Sequence, residues 1–357
     1  MRAAILQGSA ITIDTWPDPE PNPGQLLVSP IATGICGSDL HYRERAIAAE
    51  AALPEDRRGD LPRIVPGHEF SARLVEAGPN TETPFRPGDR LVALPFTHSA
   101  HADQRFEVIG LSPVFSGGLA TLTVIDAERA FAIPEEVPDD LAALTEPLAV
   151  GLHAVNLATR NRAPNVVLGC GPVGLAVILG LIAEGRGPIL AADFSPQRRR
   201  AAAALGADFV IDPSEESPYQ HWRDLDFRPH PPSPLLERTF RGLPPGANIF
   251  DCVGAQGLLD RIVKGAPQHS HVITVGVCAH EDKLTPREAI VTELTLEFSF
   301  AYRPEEFQQA LAMIAANPDR VRTLVTSHLP LSETAGAFDR LARNPEEIKV
   351  LIDPHRD

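Results

Sequence analysis

Two groups of residues have the types and spacing that chemistry needs. In the N-terminal part, CGSDLH at 36–41 is followed by GHEF at 67–70, and Glu146 begins the run EPLAVGLHAVNLAT. A thiolate, an imidazole and a carboxylate suffice for a catalytic zinc site, which takes three protein ligands and keeps one position open for water or substrate. Each residue also has a plain structural role, as a small buried hydrophobe, a satisfied polar group or an acid complementing a helix dipole. Spacing alone does not bring the three together. The second group is GCGPVG, in which Gly169, Gly171 and Gly174, with Pro172 and Val173 between the last two, follow the apolar NVVL and precede a helical run. The first glycine permits a tight turn, the second lets backbone approach a pyrophosphate, and the third lets helix pack on strand. Asp193 closes the next apolar run, nineteen residues after Gly174. An acid at that spacing accepts from the ribose 2′-hydroxyl of NAD and repels the 2′-phosphate of NADP, whereas an arginine nearby, here Arg198 followed by two more, accommodates that phosphate.

The elements around these residues fall into two styles. Up to about Val150 the chain reads as short strands punctuated by Pro and Gly (AAILQG, LLVSPIA, SARLVEAG, DRLVALPF, LATLTVID), a mostly β region. From Glu146 onward, helical and strand patterns alternate: EPLAVGLHAVNLAT, NVVLG, LAVILGLIAEG, PILAAD, PQRRRAAAALGA, DFVID. Such alternation implies an α/β fold with a parallel sheet covered by helices. Between Pro213 and Pro245 lie eight prolines and little periodicity, which reads as an irregular excursion with one short helix near Leu235. Strands resume with ANIFDCVG, HVITVGV and TLEFSF, followed by the helix PEEFQQALAMIAAN and by a tail of strand, helix and strand.

Composition narrows the partners. With 32 Lys+Arg against 47 Asp+Glu the formal charge is −15, which repels nucleic-acid phosphates and anionic membranes. The four cysteines, Cys36, Cys170, Cys252 and Cys278, are far apart, which supports neither a disulfide framework nor a Cys-rich structural zinc site. The start shows no signal-peptide pattern, so the expectation is a cytoplasmic chain. Val166 to Ala183 is an uncharged stretch of 18 residues, the minimum for a membrane span, but its three glycines and Pro172 fit strand, turn and helix instead.

CGSDLH, GHEF, EPLAVGLHA and GCGPVG, in this order, resemble the zinc-dependent medium-chain alcohol and polyol dehydrogenases over nearly the whole chain. The resemblance implies a GroES-like catalytic domain at 1–151, a doubly wound Rossmann domain at 152–300 and a return to the catalytic domain at 301–357. It assigns Cys36 and His68 as zinc ligands, Ser38 and His41 as a proton relay, and Asp39 as the acid that orients the liganding histidine. The third ligand would be Glu146 first and Glu69 second, because the family varies at the junction position and its polyol branch can use the Glu of GHE. Val275 and Val277 would lie at the cofactor, Phe96 near the cleft, and the charged segment from Tyr42 to Arg63 over its mouth. Many relatives carry a lobe of four cysteines that holds a structural zinc. The corresponding PFTHSAHADQRFEVIGLSP has none, and His98 and His101 read as solvated loop residues, so one zinc per chain is expected. A homo-oligomer, dimer or tetramer, is expected as well.

On this reading an alcohol oxygen takes the open zinc position, its proton passes through Ser38 toward His41, and hydride leaves to NAD. Polyols, cyclic alcohols and other secondary alcohols all fit. Two readings compete: a zinc-free quinone or enoyl reductase on the same fold, whose members lack the Cys36 and His68 equivalents, and a non-catalytic NAD-binding protein, against which the relay residues argue.

Overall fold

The computed structural model describes residues 1–98, 106–160, 163–219, 246–344 and 346–357. The chain divides into two compact units, Met1–Glu146 with Phe307–Asp357, and Pro147–Glu306. The sequence reading sets its junctions at 151 and 300; the first division runs through an unbroken helix, where no turn residue marks it.

In the first unit, β1 (Arg2–Gln7) and β2 (Ala10–Thr15) form a hairpin, followed by β3 (Gln25–Gly34), α1 (Gly37–Ala52), β4 (Glu69–Ala77) and β5 (Arg90–Ala93). Then come a second hairpin of β6 (Phe96–His98) and β7 (Phe106–Val108), β8 (Thr123–Asp126), β9 (Ala130–Ala132) and α2 (Asp139–Ala142). After the second unit the chain returns with β16 (Val325–Pro330) and β17 (Lys349–Asp353). The main sheet runs β16-β17-β3-β4-β5-β9, with β8 also paired to β3. β3 is its spine, and Pro30, which cannot donate to a ladder, sits at a register shift of the β3–β4 pair. Leu331, Phe338, Val350 and Ile352 from the C-terminal return pack with Leu6, Ile35 and Ile64 in one buried cluster, so the first unit's core is closed by the end of the chain.

The expectation of a region built mainly of short strands omits α1. Asp39 is its only buried residue, so the helix lacks the apolar stripe by which helices are recognised. The segment from Tyr42 to Arg63 is therefore mostly α1 and the 3-10 turn Glu55–Asp60.

The second unit is reached through α3 (Thr145–Leu157) and contains β10 (Asn165–Leu168), α4 (Pro172–Ala183), β11 (Ile189–Ala192), α5 (Pro196–Leu205), β12 (Phe209–Ile211), β13 (Asn248–Asp251), β14 (His271–Thr274) and β15 (Thr295–Phe298). All six strands are parallel, in the order β12-β11-β10-β13-β14-β15. The order reverses between β10 and β13, and a doubly wound sheet binds ligands outside the carboxyl ends of its strands at such a reversal. Val166–Ala183 is thus strand, loop and buried helix, and among the described residues no helix is long and apolar enough to cross a membrane. The short helix expected near Leu235 lies outside the described residues, as does His101.

Candidate active site

The first unit's sheet register assembles a cluster at the carboxyl end of β3. Gly34 lies directly opposite Glu69 of β4 and beside Leu351 of β17, and Cys36 follows two residues later. Ligand atoms of Cys36, His68 and Glu69 fall within 4.8 Å of one another, with His68 and Glu69 buried. Cys36 is the N-cap of α1, and Asp39, three residues on, accepts from the Cys36 backbone N–H through Oδ2 at 2.9 Å, one half of a capping box. The other oxygen, Oδ1, faces His68 Nδ1 at 3.5 Å, and neither atom has another partner among the described residues. His68 Nε2 is 3.1 Å from the Ser38 hydroxyl. Burial alone would lower the His68 pKa, but the Asp39 carboxylate and the Cys36 sulfur outweigh it and hold the imidazolium well above the usual histidine range.

A thiol, an imidazole and a carboxylate whose ligand atoms converge in this way fit a zinc ion. Glu146, the first-choice third ligand, is half-buried at the start of α3 and lies outside the group of three, although its charge reaches Lys349. His41 is one turn along α1 from Ser38; its Nδ1 lies 3.1 Å from Glu44, and no bond to Ser38 accompanies that contact among the described residues. His98 ends β6.

One residue of this site escapes sequence reasoning. Lys349 of β17 is fully buried and points its ammonium at Glu69, 2.6 Å from Oε2 and 2.8 Å from Oε1, with its remaining proton donated to the Ile35 carbonyl at 3.1 Å. A Cβ on Gly34 would stand 2.3 Å from Glu69 Oε2, so only glycine leaves room for this carboxylate. The sole signal was a lysine within the strand-like KVLID, which alternation alone reads as solvent-facing.

In the second unit, the loop 169–174 joins β10 to α4. Gly169 has φ +87, where side chains are strained, and a Cβ on Gly174 would lie 1.8 Å from the Gly169 carbonyl. Gly171 is the N-cap of α4 and Pro172 its first residue, so the N-cap itself offers no side chain to the first turn, which suits a phosphate. Asp193, just past β11, is buried and accepts from Cys170 N at 2.7 Å and Ser195 N at 2.8 Å, which fixes its carboxylate against the glycine loop. Arg198 also reaches that loop, its Nη1 3.8 Å from a Cβ built on Gly171, while Arg199 binds the Asp193 and Phe194 carbonyls and Asp212. Phe194, Val253 and Val277, each just beyond a strand's carboxyl end, are exposed, and Val275 is held by its N–H to the Asp251 carbonyl at 2.9 Å. The nucleotide residues expected from sequence thus gather at one end of one sheet. Phe194, Val253 and Asp251 were not anticipated, for they carry no motif.

Two family models match the chain: an alcohol dehydrogenase GroES-like domain over residues 22–135 and a zinc-binding dehydrogenase over residues 172–316. (R,R)-Butanediol dehydrogenase of Bacillus subtilis (strain 168) is 28% identical over 354 residues, covering 97% of both chains. Sorbitol dehydrogenase of Bos taurus is 27% identical over 359 residues, 97% of this chain and 94% of the relative. Among solved structures, 2R,3R-butanediol dehydrogenase from Bacillus subtilis superposes with a TM-score of 0.81 at 25% identity, covering 99% of each chain. Galactitol-1-phosphate dehydrogenase from Escherichia coli does so with a TM-score of 0.78 at 24% identity, over 99% of this chain and all of that one.

Proposed function

The chain belongs to the zinc-dependent medium-chain alcohol and polyol dehydrogenases, and on that premise we propose that it interconverts a secondary or polyol alcohol and its carbonyl product by hydride transfer with NAD. The observation that carries the reading is the convergence of Cys36, His68 and Glu69, with the Ser38 hydroxyl on the histidine ring. Cys36 and His68 would hold one catalytic zinc together with a carboxylate, Glu69 by proximity or Glu146 from α3. When bound, the metal supplies the Lewis acidity that makes an alcohol proton removable near neutral pH, and NAD supplies the hydride acceptor.

The remaining work falls to the chain's own groups. Asp39 faces Nδ1 of His68 and so fixes the ring with Nε2 turned toward Ser38. Ser38 accepts the substrate's hydroxyl proton and passes it along α1 toward His41 and solvent. Lys349 neutralises Glu69 and keeps a second negative charge from accumulating beside the Cys36 thiolate. The glycine loop and the first turn of α4 take the pyrophosphate, Asp193 takes the ribose, and Val275 and Val277 flank the nicotinamide. The preference for NAD over NADP rests on the Asp193 carboxylate, against which Arg198 works. Assembly into a dimer or tetramer belongs to the same proposal, supported by β15, the edge strand of the sheet among the described residues, with Phe298 exposed on it and Phe300 just beyond it, and sedimentation checks it.

The test loads the protein with zinc and offers NAD or NADP with butanediol, sorbitol, cyclohexanol and ethanol, following nicotinamide reduction by absorbance. Turnover of a diol, polyol or cyclic alcohol with NAD, abolished by a chelator and restored by zinc, is expected. Turnover that survives complete metal removal, with a quinone or enone as the better substrate, would overturn the reading in favour of a zinc-free reductase.

A further inference from the structure

Asp251 ends β13, the strand across the sheet reversal from the glycine loop, and only 2% of it is exposed. An isolated buried carboxylate is costly unless hydrogen-bonded, and this one is used. Its Oδ1 accepts from the backbone N–H groups of Val253 at 3.0 Å and Gly254 at 3.1 Å. Its main-chain carbonyl accepts from Val275 N at 2.9 Å and Gly276 N at 2.8 Å. One residue therefore ties down the loops that follow two adjacent strands, β13 through its side chain and β14 through its backbone.

Those loops are pressed together with no room for side chains. A Cβ on Gly276 would stand 2.3 Å from Gly254 N, and one on Gly254 would stand 2.5 Å from Gly276 C. Val253 leans the other way, its Cγ2 2.5 Å from a Cβ built on Gly169. Gly169, Val253 with Gly254, and Val275 to Val277 so form one continuous lip along the carboxyl ends of β10, β13 and β14. On this lip Val253 is 49% and Val277 67% exposed, an apolar pair with the character of a surface that a flat ring covers.

From this geometry we infer that Asp251 is a positioning residue for the nicotinamide half of the cofactor, setting the heights of Val253 and Val277 by fixing the loops that carry them. The inference rests on the proposed cofactor site and adds to it a residue that touches neither cofactor nor substrate. It predicts selectivity, because the adenosine half falls to Asp193 and the first turn of α4, neither of which Asp251 contacts.

The experiment compares wild type, Asp251→Ala, Asp251→Glu and Asp251→Asn for binding of NADH and of ADP-ribose, which lacks the nicotinamide, and follows amide hydrogen exchange at 253–254 and 275–276. Asp251→Ala is expected to weaken NADH about tenfold, the weight of one hydrogen bond to a charged group, and ADP-ribose by less than about twofold. Exchange at Val253 and Gly254 should quicken. Asp251→Glu keeps the charge but displaces the oxygens, so it should show the same selective loss even where the alanine variant does not fold. Asp251→Asn keeps an acceptor and should restore most of the NADH affinity. Equal weakening of both ligands in the variants, or unchanged exchange in both loops, overturns the role of Asp251. A wild type that binds neither ligand overturns the cofactor site itself.

Discussion

Replacing Lys349 with methionine keeps most of the apolar stem and removes the ammonium. The side chains of Lys349 and Glu69 are only 2% and 1% exposed, and all three ammonium protons are spent, two on Glu69 and one on the Ile35 carbonyl. The variant therefore leaves a buried carboxylate without its counter-charge, and breaking a buried pair in this way costs about 3–5 kcal/mol. Removing both charges, as in Lys349→Met with Glu69→Gln, should recover most of that loss, since desolvation offsets much of a buried pair's Coulombic gain. The assay is urea unfolding in chelator on a Trp222→Phe background, so that Trp16 alone reports the first unit, with the coupling read from the double-mutant cycle. The pH dependence has a definite sign. Burial works against the charged lysine, but Glu69, then Cys36, outweigh it and raise its pKa above the ordinary value. A group raised on folding gives its full contribution below its unfolded pKa, about 10.4 for lysine, and loses it as pH climbs through the higher folded value. The lysine's contribution, and with it this part of the Lys349→Met penalty, should thus persist below its unfolded pKa and be lost in strong alkali. A single-variant cost below about 1 kcal/mol, or a double variant as costly as the two singles added, would refute the reasoning.

The other outcomes expected are as follows. Elemental analysis after exhaustive dialysis should give one zinc per chain, lost in Cys36→Ser and His68→Ala; Glu69→Ala against Glu146→Ala identifies the carboxylate, and two tightly held zincs would overturn the count. Asp193→Gly should erode the preference for NAD in steady-state kinetics and weaken both cofactors, because Cys170 N and Ser195 N lose their acceptor; a wild type that prefers NADP removes Asp193 from its role. Ser38→Ala, and less severely His41→Ala, should slow alcohol oxidation, since general acid–base steps contribute about 10²–10⁴-fold; changes under about threefold across the pH–rate profile of both would exclude the relay. Gly174→Ala should abolish NADH binding, measured by nicotinamide fluorescence, while zinc content is kept, because its Cβ collides with the Gly169 carbonyl within the nucleotide unit alone.

The second unit is legible in sequence because its physics is local. Parallel strands covered on both faces read as short runs rich in apolar residues, and every residue of NVVL, ILAA and NIFD is buried. Their helices carry Pro at the first position, at Pro172 and Pro196, and Gly206 closes α5 in a left-handed cap. The helix α1 is illegible for the opposite reason. What holds its start is a hydrogen bond from Cys36 N to Asp39, and a capping signal built on cysteine is not one that propensity rules recognise.

The candidate cluster is legible by residue type and hidden by position. Cys36 and His68 stand in motifs, but nothing in KVLID says that Lys349, 280 residues from Glu69, faces inward. That follows only from β17 lying beside β3 and β3 beside β4, a long-range pairing no local pattern encodes. The same pairing decides how neighbours in sequence can share a site. Successive residues of a strand point to opposite faces, so alternation argues against His68 and Glu69 serving one ion. β4, however, begins at Glu69, which leaves His68 in the irregular segment before it and free of the pleat. Its ring can therefore swing toward Cys36 on the side where the Glu69 carboxylate lies over Gly34. The choice between Glu69 and Glu146 accordingly turns on Lys349. With both Glu69 oxygens accepting from the ammonium, a metal at Glu69 must share a carboxylate already neutralised, whereas a metal at Glu146 leaves the buried pair intact.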